Sequence, residues 1–262
     1  MTGRLKNFLM RSYIVLIGLF LYIPIAVLVA LSVNASESRS IWGGFTWDWY
    51  LHLLDNDVIL EALKNTLSIG LLSAAFATLI GLLAAIGIAN MRRRNYALVL
   101  GFGNIPMLNA DIVTGIILML ALTRFMELGY ISILLAHITF SIPYVVMCIL
   151  PRLKSMDMSV YEAARDLGAD AVTAFLKVML PHLMPAVVGG FFIALTMSMD
   201  DFVVTYFTKG AGIDTLSTMI YGELKRGIKP EMYALSSTIF FLVLFILALV
   251  NYLPEWRKRV RP

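Results

Sequence analysis

The chain has 262 residues, of which 60% are hydrophobic and only 15% are charged, and its net charge at neutral pH is +4. The mean hydropathy of +0.83 exceeds what the core and surface of a soluble domain can accommodate. This composition excludes an ordinary water-soluble protein and predicts an integral membrane protein.

Apolar stretches long enough to cross a bilayer occupy most of the chain. A transmembrane helix needs about 20 mostly apolar residues. We predict about six such helices, near residues 12–33, 65–90, 97–123, 128–150, 183–205 and 234–253. The segments between them are short, so the sequence predicts one all-α, polytopic membrane domain over residues 1–262.

The first apolar stretch admits two interpretations, a retained transmembrane helix or the core of a cleaved signal peptide. The stretch from Tyr13 to Val33 is longer than a usual signal core. The sequence Val33-Asn34-Ala35 is also a poor cleavage site. We therefore expect a retained helix.

Lysine and arginine residues are concentrated in alternate connecting segments, which we assign to one side of the membrane. They are Arg4, Lys6, Arg11, Arg92, Arg93, Arg94, Arg152, Lys154, Arg165, Lys177, Arg257, Lys258, Arg259 and Arg261. Because short loops rich in such residues stay in the cytoplasm, both termini are predicted to be cytoplasmic. The membrane topology explains the positive net charge of the chain. We therefore do not expect nucleic acid to be a partner.

Several polar residues lie inside the predicted helices. Asn104, Pro106 and Asn109 interrupt the third helix, and broken helices in transporters tend to line cavities. His137 has no ligand partners nearby, which favours a packed, hydrogen-bonded histidine over a metal ligand. Cys148 is the single cysteine, so an intrachain disulfide is excluded, and we expect no metal site.

The loop at residues 159–181, between the fourth and fifth helices, indicates two short helices. Ser159 and Glu162 have the spacing of a capping box that would start the first helix. Gly168 can adopt the left-handed conformation that ends it, and Asp170 can cap the second helix. We expect this elbow to lie in a groove of a cytoplasmic partner.

Three acidic residues fall within predicted transmembrane helices: Asp111 in the third, and Asp200 and Asp201 in the fifth. A carboxylate at the bilayer centre costs about 2.5–3.5 kcal/mol, so such residues usually face a cavity or a partner. No basic residue of this chain lies in the membrane interior to neutralise them, which favours a cationic substrate. The alternative is that they pair with groups on a second subunit. Neighbouring residues on a helix point about 100° apart, so Asp200 and Asp201 do not both face one pore.

The chain carries no G-x-x-x-x-G-K-[ST] phosphate loop and no visible pairing of a nucleophile with a base. We therefore expect a transport subunit and not an enzyme. If uptake is driven by nucleotide, another polypeptide must bind it.

The loop resembles a motif of a known family. Glu162-Ala163-Ala164, then three residues, Gly168, nine residues and Val178-Met179-Leu180-Pro181 are similar to the E-A-A-x3-G-x9-I-x-L-P loop of binding-protein-dependent (MetI-like) ABC importer permeases, with Val178 in place of Ile. The resemblance implies that this loop is the coupling helix that docks on the ATPase. The residues it assigns to that contact are Glu162, Ala163, Ala164, Gly168, Leu180 and Pro181.

Within that family the chain resembles the spermidine/putrescine permeases over nearly its whole length. The resemblance is carried by Leu21-Tyr22-Ile23-Pro24-Ile25, Asp111-Ile112-Val113, His137-Ile138-Thr139-Phe140, Ser198-Met199-Asp200-Asp201 and Pro230-Glu231-Met232. It departs at Ala110, where the family often has Pro.

This resemblance implies a permease subunit of an ATP-driven polyamine importer in the bacterial inner membrane. The subunit would form half of a translocation pathway that includes Asp111, Asp200 and Asp201. The implied partners are membrane lipid, a second permease subunit, two ATPase subunits that hold ATP and Mg, and an extracytoplasmic polyamine-binding protein. The chain itself would bind no cofactor.

Two other functions remain open from the sequence. The first is an ABC permease for another small solute, such as an amino acid, thiamine or a metal complex, in which case Asp200→Asn would leave uptake intact. The second is a secondary carrier driven by an ion gradient, for which uptake would persist without an ATPase partner.

Overall fold

The computed structural model describes residues 2–38 and 40–252. Its helices are, in chain order, α1 (Thr2–Ser32), α2 (Asp48–Asp55), α3 (Asp57–Ala89), α4 (Arg93–Gly103), α5 (Ile105–Leu108), α6 (Asp111–Leu122), α7 (Tyr130–Lys154), α8 (Ser159–Asp166), α9 (Ala171–Ala174), α10 (Leu180–Asp200), α11 (Val203–Thr208), α12 (Leu216–Arg226) and α13 (Pro230–Tyr252). Extended structure in the described part is limited to one bridge between Asn34 and Phe45. The all-α prediction is confirmed.

Four of the described helical segments are long and apolar enough to cross a membrane: Ser12–Ser32, Asp57–Ala89, Tyr130–Lys154 and Ala171–Asp200. They correspond to the first, second, fourth and fifth predicted helices. The sixth corresponds to α13, and the last residue of that prediction, together with the basic C-terminal residues 254–262, lies outside the described residues.

The third predicted helix is divided among α4, α5 and α6. Asn104 ends α4, and Pro106 lies in the first turn of α5, where its missing N–H costs little. The backbone at Asn109 and Ala110 is extended before α6 begins at Asp111. The interruption predicted from the polar residues is confirmed, and it places Asp111 at the start of a helix.

The fifth predicted helix begins and ends earlier than expected. Helical structure runs without a break from Ala171, because a π-helical turn at Phe175–Met179 precedes Pro181. In that turn the Leu180 N–H donates to the Phe175 carbonyl, five residues earlier. This π-helical bond stands next to Pro181, which has no N–H to donate to the regular α-helical pattern. The helix ends at Asp200, and two residues separate it from α11.

The chain divides into two compact units. The first comprises the described residues up to Leu60 and those from Gly222 onward. In it, α13 packs on α1 and α2, and the Asn34 side chain orders the loop after α1 by accepting the Gly43 N–H (2.8 Å) and donating to the Ile41 carbonyl (2.9 Å). The organisation of residues 1–262 as one membrane domain stays a prediction.

The second unit, Glu61–Tyr221, is built on close packing of α3, α7 and α10. Small residues make the close approach possible. Ala74, Ala77 and Ala85 of α3 are fully buried in the same cluster as Val145 of α7 and Leu183 of α10. Small side chains at helix contacts are typical of membrane bundles, where backbone proximity and van der Waals packing drive association.

Candidate functional site

A cavity of about 320 Å³ lies within the second unit. It is lined by Pro106, Asp111, Thr114, Phe140, Tyr144, Thr196, Met197, Asp200, Asp201, Phe202, Val203 and Val204. All three predicted membrane acids are in this set. None of the described residues that line the cavity is basic.

Two helix interruptions bring the acids together. Asp111 is the first residue of α6, and Asp200 and Asp201 stand at the break between α10 and α11. The packing of α6 on α11 depends on Gly115, since a Cβ atom there would lie 3.0 Å from the Phe207 ring. The sequence predicted an interruption before Asp111 but not one at Asp200 and Asp201, which it placed inside the fifth helix; the structure places all three acids at helix ends.

Asp201 is committed to hydrogen bonds within the protein. Its carboxylate accepts the N–H groups of Val204 (3.2 Å) and Thr205 (2.8 Å), so it caps α11. It also accepts the Thr205 hydroxyl (3.0 Å), and its side chain is only 11% exposed. Because it is largely buried and accepts three hydrogen bonds from α11, Asp201 has less capacity left for a ligand.

Asp111 and Asp200 differ from Asp201. Both are exposed, and no hydrogen bond or ion pair from the described part of the chain occupies either carboxylate. The expectation that Asp200 and Asp201 point in different directions agrees with this division. The carboxylates available to a ligand are therefore those of Asp111 and Asp200.

Aromatic side chains complete the lining, and sequence reasoning missed them. Phe140 and Tyr144 lie one turn apart on α7, and Phe202 follows the acidic pair. Phe202 also stacks on Tyr221, with ring centroids 4.1 Å apart. The spacing of Phe140 and Tyr144 indicates a shared helix face, but an apolar helix offers no signal that this face meets a cavity.

His137 is packed and hydrogen-bonded, as predicted. Its side chain is 1% exposed, with Nδ1 2.5 Å from Ser198 Oγ and Nε2 2.9 Å from Thr205 Oγ1. Nε2 also lies 3.5 Å from a carboxylate oxygen of Asp201. Among the described residues, no group of three or more His, Cys, Asp or Glu side chains has a metal-binding arrangement.

The predicted docking loop starts with a different cap from the one expected. The prediction of a capping box formed by Ser159 and Glu162 is wrong, because Ser159 is already the first residue of α8 and its side chain does not cap the helix. Asp157 takes that role by accepting the Ser159 N–H at 3.0 Å. Hydrogen bonds from the Ser159 N–H and hydroxyl lower the pKa of Asp157 from its ordinary value.

The other local predictions for the loop are confirmed. Gly168 has φ +92°, which ends α8 in the left-handed conformation. Asp170 caps the next helix by accepting the N–H groups of Val172 (3.2 Å) and Thr173 (3.4 Å). The loop therefore consists of two capped helical segments joined at a glycine.

The residues assigned to docking do not share one environment. Glu162, Ala163, Gly168 and Pro181 are exposed, and Ala164 is half-buried. Leu180 packs against the core cluster of α3, α7 and α10. The sequence did not single out Leu167, which follows α8 and is 90% exposed.

Comparison with known proteins defines the class. The family model for the binding-protein-dependent transport system inner membrane component matches residues 77–257. The spermidine/putrescine transport system permease protein PotC of Escherichia coli (strain K12) is 40% identical over 245 residues, which cover 93% of this chain and 92% of that protein. The putrescine transport system permease protein PotI of the same strain is 34% identical over 241 residues, covering 87% and 85%.

A solved structure shows the same fold. A bacterial ABC transporter involved in the import of the acidic polysaccharide alginate superposes with a TM-score of 0.69 and 18% identity, covering 99% of this chain and 100% of that chain. The matching family model describes an inner membrane component, and the several long apolar helices make this chain a multi-pass membrane protein. The chain belongs to the family of binding-protein-dependent transport system inner membrane components.

Proposed function

We propose that this chain is a permease subunit of an ATP-driven polyamine importer and forms half of its translocation pathway. The observation that carries the proposal is the pair of exposed, unoccupied carboxylates, Asp111 and Asp200, in a cavity that no described basic residue lines. Two anionic groups in the membrane interior favour a cationic occupant. The names of the relatives PotC and PotI, which specify spermidine and putrescine, support the same substrate class.

The cavity has the chemistry that a polyamine requires. Protonated amines form short, charge-assisted hydrogen bonds to carboxylates, and Asp111 and Asp200 offer such acceptors. Phe140, Tyr144 and Phe202 line the same cavity; aromatic faces attract cations, and apolar ring surface suits the methylene segments between two amines. The lining therefore offers both charged and apolar contacts, which the ligand also combines.

The energy for uphill import would come from partner subunits. In this proposal two ATPase subunits hold ATP and Mg, and the loop at 159–181 docks on them from the cytoplasm. Exposed Glu162, Ala163 and Leu167 support a docking surface there, and the helical connection from Ala171 to Asp200 joins that surface to the cavity. A second permease subunit and an extracytoplasmic polyamine-binding protein complete the importer. Both termini are cytoplasmic.

The proposal is tested by uptake of radiolabelled putrescine and spermidine in cells that express the complete importer from its operon. Wild type is compared with Asp200→Asn, which removes the charge, and Asp200→Glu, which keeps it; Asp111→Asn and Asp111→Glu form a second matched pair. We expect each Asn variant to lose at least about tenfold in uptake, and each Glu variant to lose less. Membrane abundance, measured by immunoblot, should be unchanged.

Two results would contradict the proposal. If both Asn variants import polyamines at the wild-type rate, the carboxylates of the cavity are structural. If wild-type cells import neither amine, the substrate is another small solute and the polyamine assignment is wrong.

A further inference from the structure

A chain of hydrogen-bonded side chains runs through the second unit and ends at Asp201. Ser73 Oγ donates to Ser198 Oγ (3.0 Å), and Ser198 Oγ lies 2.5 Å from His137 Nδ1. On the other side of the imidazole, Nε2 is 2.9 Å from Thr205 Oγ1, which donates to a carboxylate oxygen of Asp201 at 3.0 Å. Ser73, Ser198, His137 and Thr205 are all buried.

The carboxylate of Asp201, the last member of this series, determines which group donates and which accepts in each hydrogen bond. A carboxylate only accepts hydrogen bonds, so the Thr205 hydroxyl donates its proton to Asp201. The Thr205 oxygen can then accept a hydrogen bond from His137. The proton of the imidazole is therefore assigned to Nε2, and Nδ1 accepts the Ser198 hydroxyl. In this arrangement every hydroxyl donates once, and both ring nitrogens are used.

His137 joins the two sides of the break between α10 and α11. Ser198 lies in the last turn of α10, Thr205 lies in α11, and the imidazole on α7 contacts both. The main-chain carbonyl of Asp201, at the break itself, accepts the Ser217 hydroxyl at 2.7 Å. The ring also packs edge-on against Phe140, which lines the cavity, with centroids 5.2 Å apart.

We propose that His137 is a positioning residue for the cation pathway: it fixes the α10–α11 break and holds Asp201 in its capping role, so that only Asp111 and Asp200 face the substrate. The substrate part of this inference rests on the proposed function. Without His137, the Thr205 hydroxyl loses its donor and α11 loses its connection to α10 through the ring. The cavity wall formed by Val203 and Val204 then loses its fixed position.

The first test separates positioning from simple stability by its kinetic signature. KM and Vmax for putrescine uptake are measured for His137→Leu, which removes both hydrogen bonds, and His137→Gln, whose amide supplies one donor and one acceptor. We expect KM to rise about tenfold in His137→Leu and to stay within about threefold of wild type in His137→Gln. A residue that only stabilises the fold would lower Vmax, through fewer assembled importers, and leave KM unchanged.

Ser141 provides a matched control for this test. It lies on α7 one turn from His137 and is also fully buried, but its hydroxyl has no hydrogen-bond partner among the described residues. We expect Ser141→Ala to leave both KM and Vmax unchanged.

The variant Thr205→Val removes the next hydroxyl in the series of hydrogen bonds. The double variant with His137→Leu should raise KM no further than either single change, because both residues act through the same series of hydrogen bonds.

The second test does not depend on which solute is carried. Val204 is 3% exposed, lines the cavity and donates its N–H to Asp201. In a Cys148→Ser background, Val204→Cys is labelled in the assembled importer with a charged methanethiosulfonate reagent. We expect His137→Leu to raise the labelling rate about tenfold through local opening of α11, and His137→Gln and Ser141→Ala to leave it near the starting rate.

The two tests distinguish the possible failures. Unchanged labelling and unchanged KM in His137→Leu would overturn the inference, and the proposed function would stand if Asp200→Asn still abolished polyamine uptake. Faster labelling in a protein that transports neither amine would support the positioning role of His137 and refute the polyamine assignment.

Discussion

The contact between α3 and α7 allows a quantitative prediction at Gly81. A Cβ atom added there would lie 2.6 Å from Val145 Cγ1 and 2.9 Å from Val145 Cβ. Carbon atoms normally approach to about 3.5–4.0 Å, so the overlap is about 1 Å. Val145 is fully buried, so its side chain is enclosed by neighbouring residues. We predict that Gly81→Ala lowers the free energy of unfolding by about 1–3 kcal/mol, the usual cost of overpacking.

The same helix offers a control, and the neighbouring helix offers a rescue. Nothing lies within 4 Å of a Cβ atom at Gly87, so Gly87→Ala should leave stability within about 1 kcal/mol of wild type or raise it, because alanine favours the helix. Val145→Ala removes the obstructing methyl groups. The double variant Gly81→Ala/Val145→Ala should therefore be more stable than the sum of the single changes predicts, by about 1 kcal/mol or more.

The measurement is unfolding of the purified importer in mixed micelles, titrated with dodecyl sulfate and followed by circular dichroism. A Gly81→Ala variant as stable as Gly87→Ala would refute the reasoning, because the two helices would then lie farther apart than the structure places them. If Gly81→Ala is destabilising but Val145→Ala brings no recovery, the overlap with the Val145 Cγ1 methyl group is not the cause.

Three further predictions concern the cavity and the loop. Tyr144→Leu should raise KM for putrescine roughly two- to tenfold through loss of a cation–π face, whereas Tyr144→Phe should have a smaller effect in the same uptake assay. Glu162→Lys should lower the substrate-stimulated ATPase rate of the reconstituted importer, and the same charge change at exposed Glu127 should not; equal rates for Glu162→Lys and wild type would remove this residue from the docking contact. The Thr173 hydroxyl and N–H lower the pKa of Asp170, so this cap is complete above the ordinary Asp value of about 3.9 and is lost as pH falls below it. Protection of residues 171–174 from hydrogen exchange, taken relative to the intrinsic exchange rate at each pH, should fall over that acid range in wild type and be low at all pH values in Asp170→Ala.

Local features were predictable because their chemistry is local. Gly168 and Asp170 end and start helices by interactions with residues at most a few positions away, and both are confirmed. The cap of α8 shows how such predictions fail: Ser159 fitted a capping motif, but Asp157 stands two residues earlier and supplies the oxygen. Two candidate caps so close together compete, and the sequence does not rank them.

Features that depend on packing were less accessible from the sequence. The three acids were identified because carboxylates are costly in a bilayer, but their meeting in one cavity depends on α6 packing against α11. His137 was predicted to be hydrogen-bonded, yet its partners Ser198 and Thr205 lie 61 and 68 positions along the chain. Residues so far apart along the chain show no repeating pattern in the sequence that would identify them as hydrogen-bond partners.

The interruption before α6 also bears on how an ionised carboxylate is tolerated in the membrane at all. In a continuous helix the N–H groups around Asp111 would be consumed by the preceding turn. Because α6 begins at this residue, no helical turn precedes it, and Asp111 stands at the positive end of the helix dipole. That interaction stabilises an anion by about 0.3–2 kcal/mol, a substantial part of the roughly 2.5–3.5 kcal/mol that inserting the charge costs. The broken helix thus places the Asp111 carboxylate at the positive end of a helix dipole, and no basic side chain among the described residues that line the cavity competes with a passing cation for it.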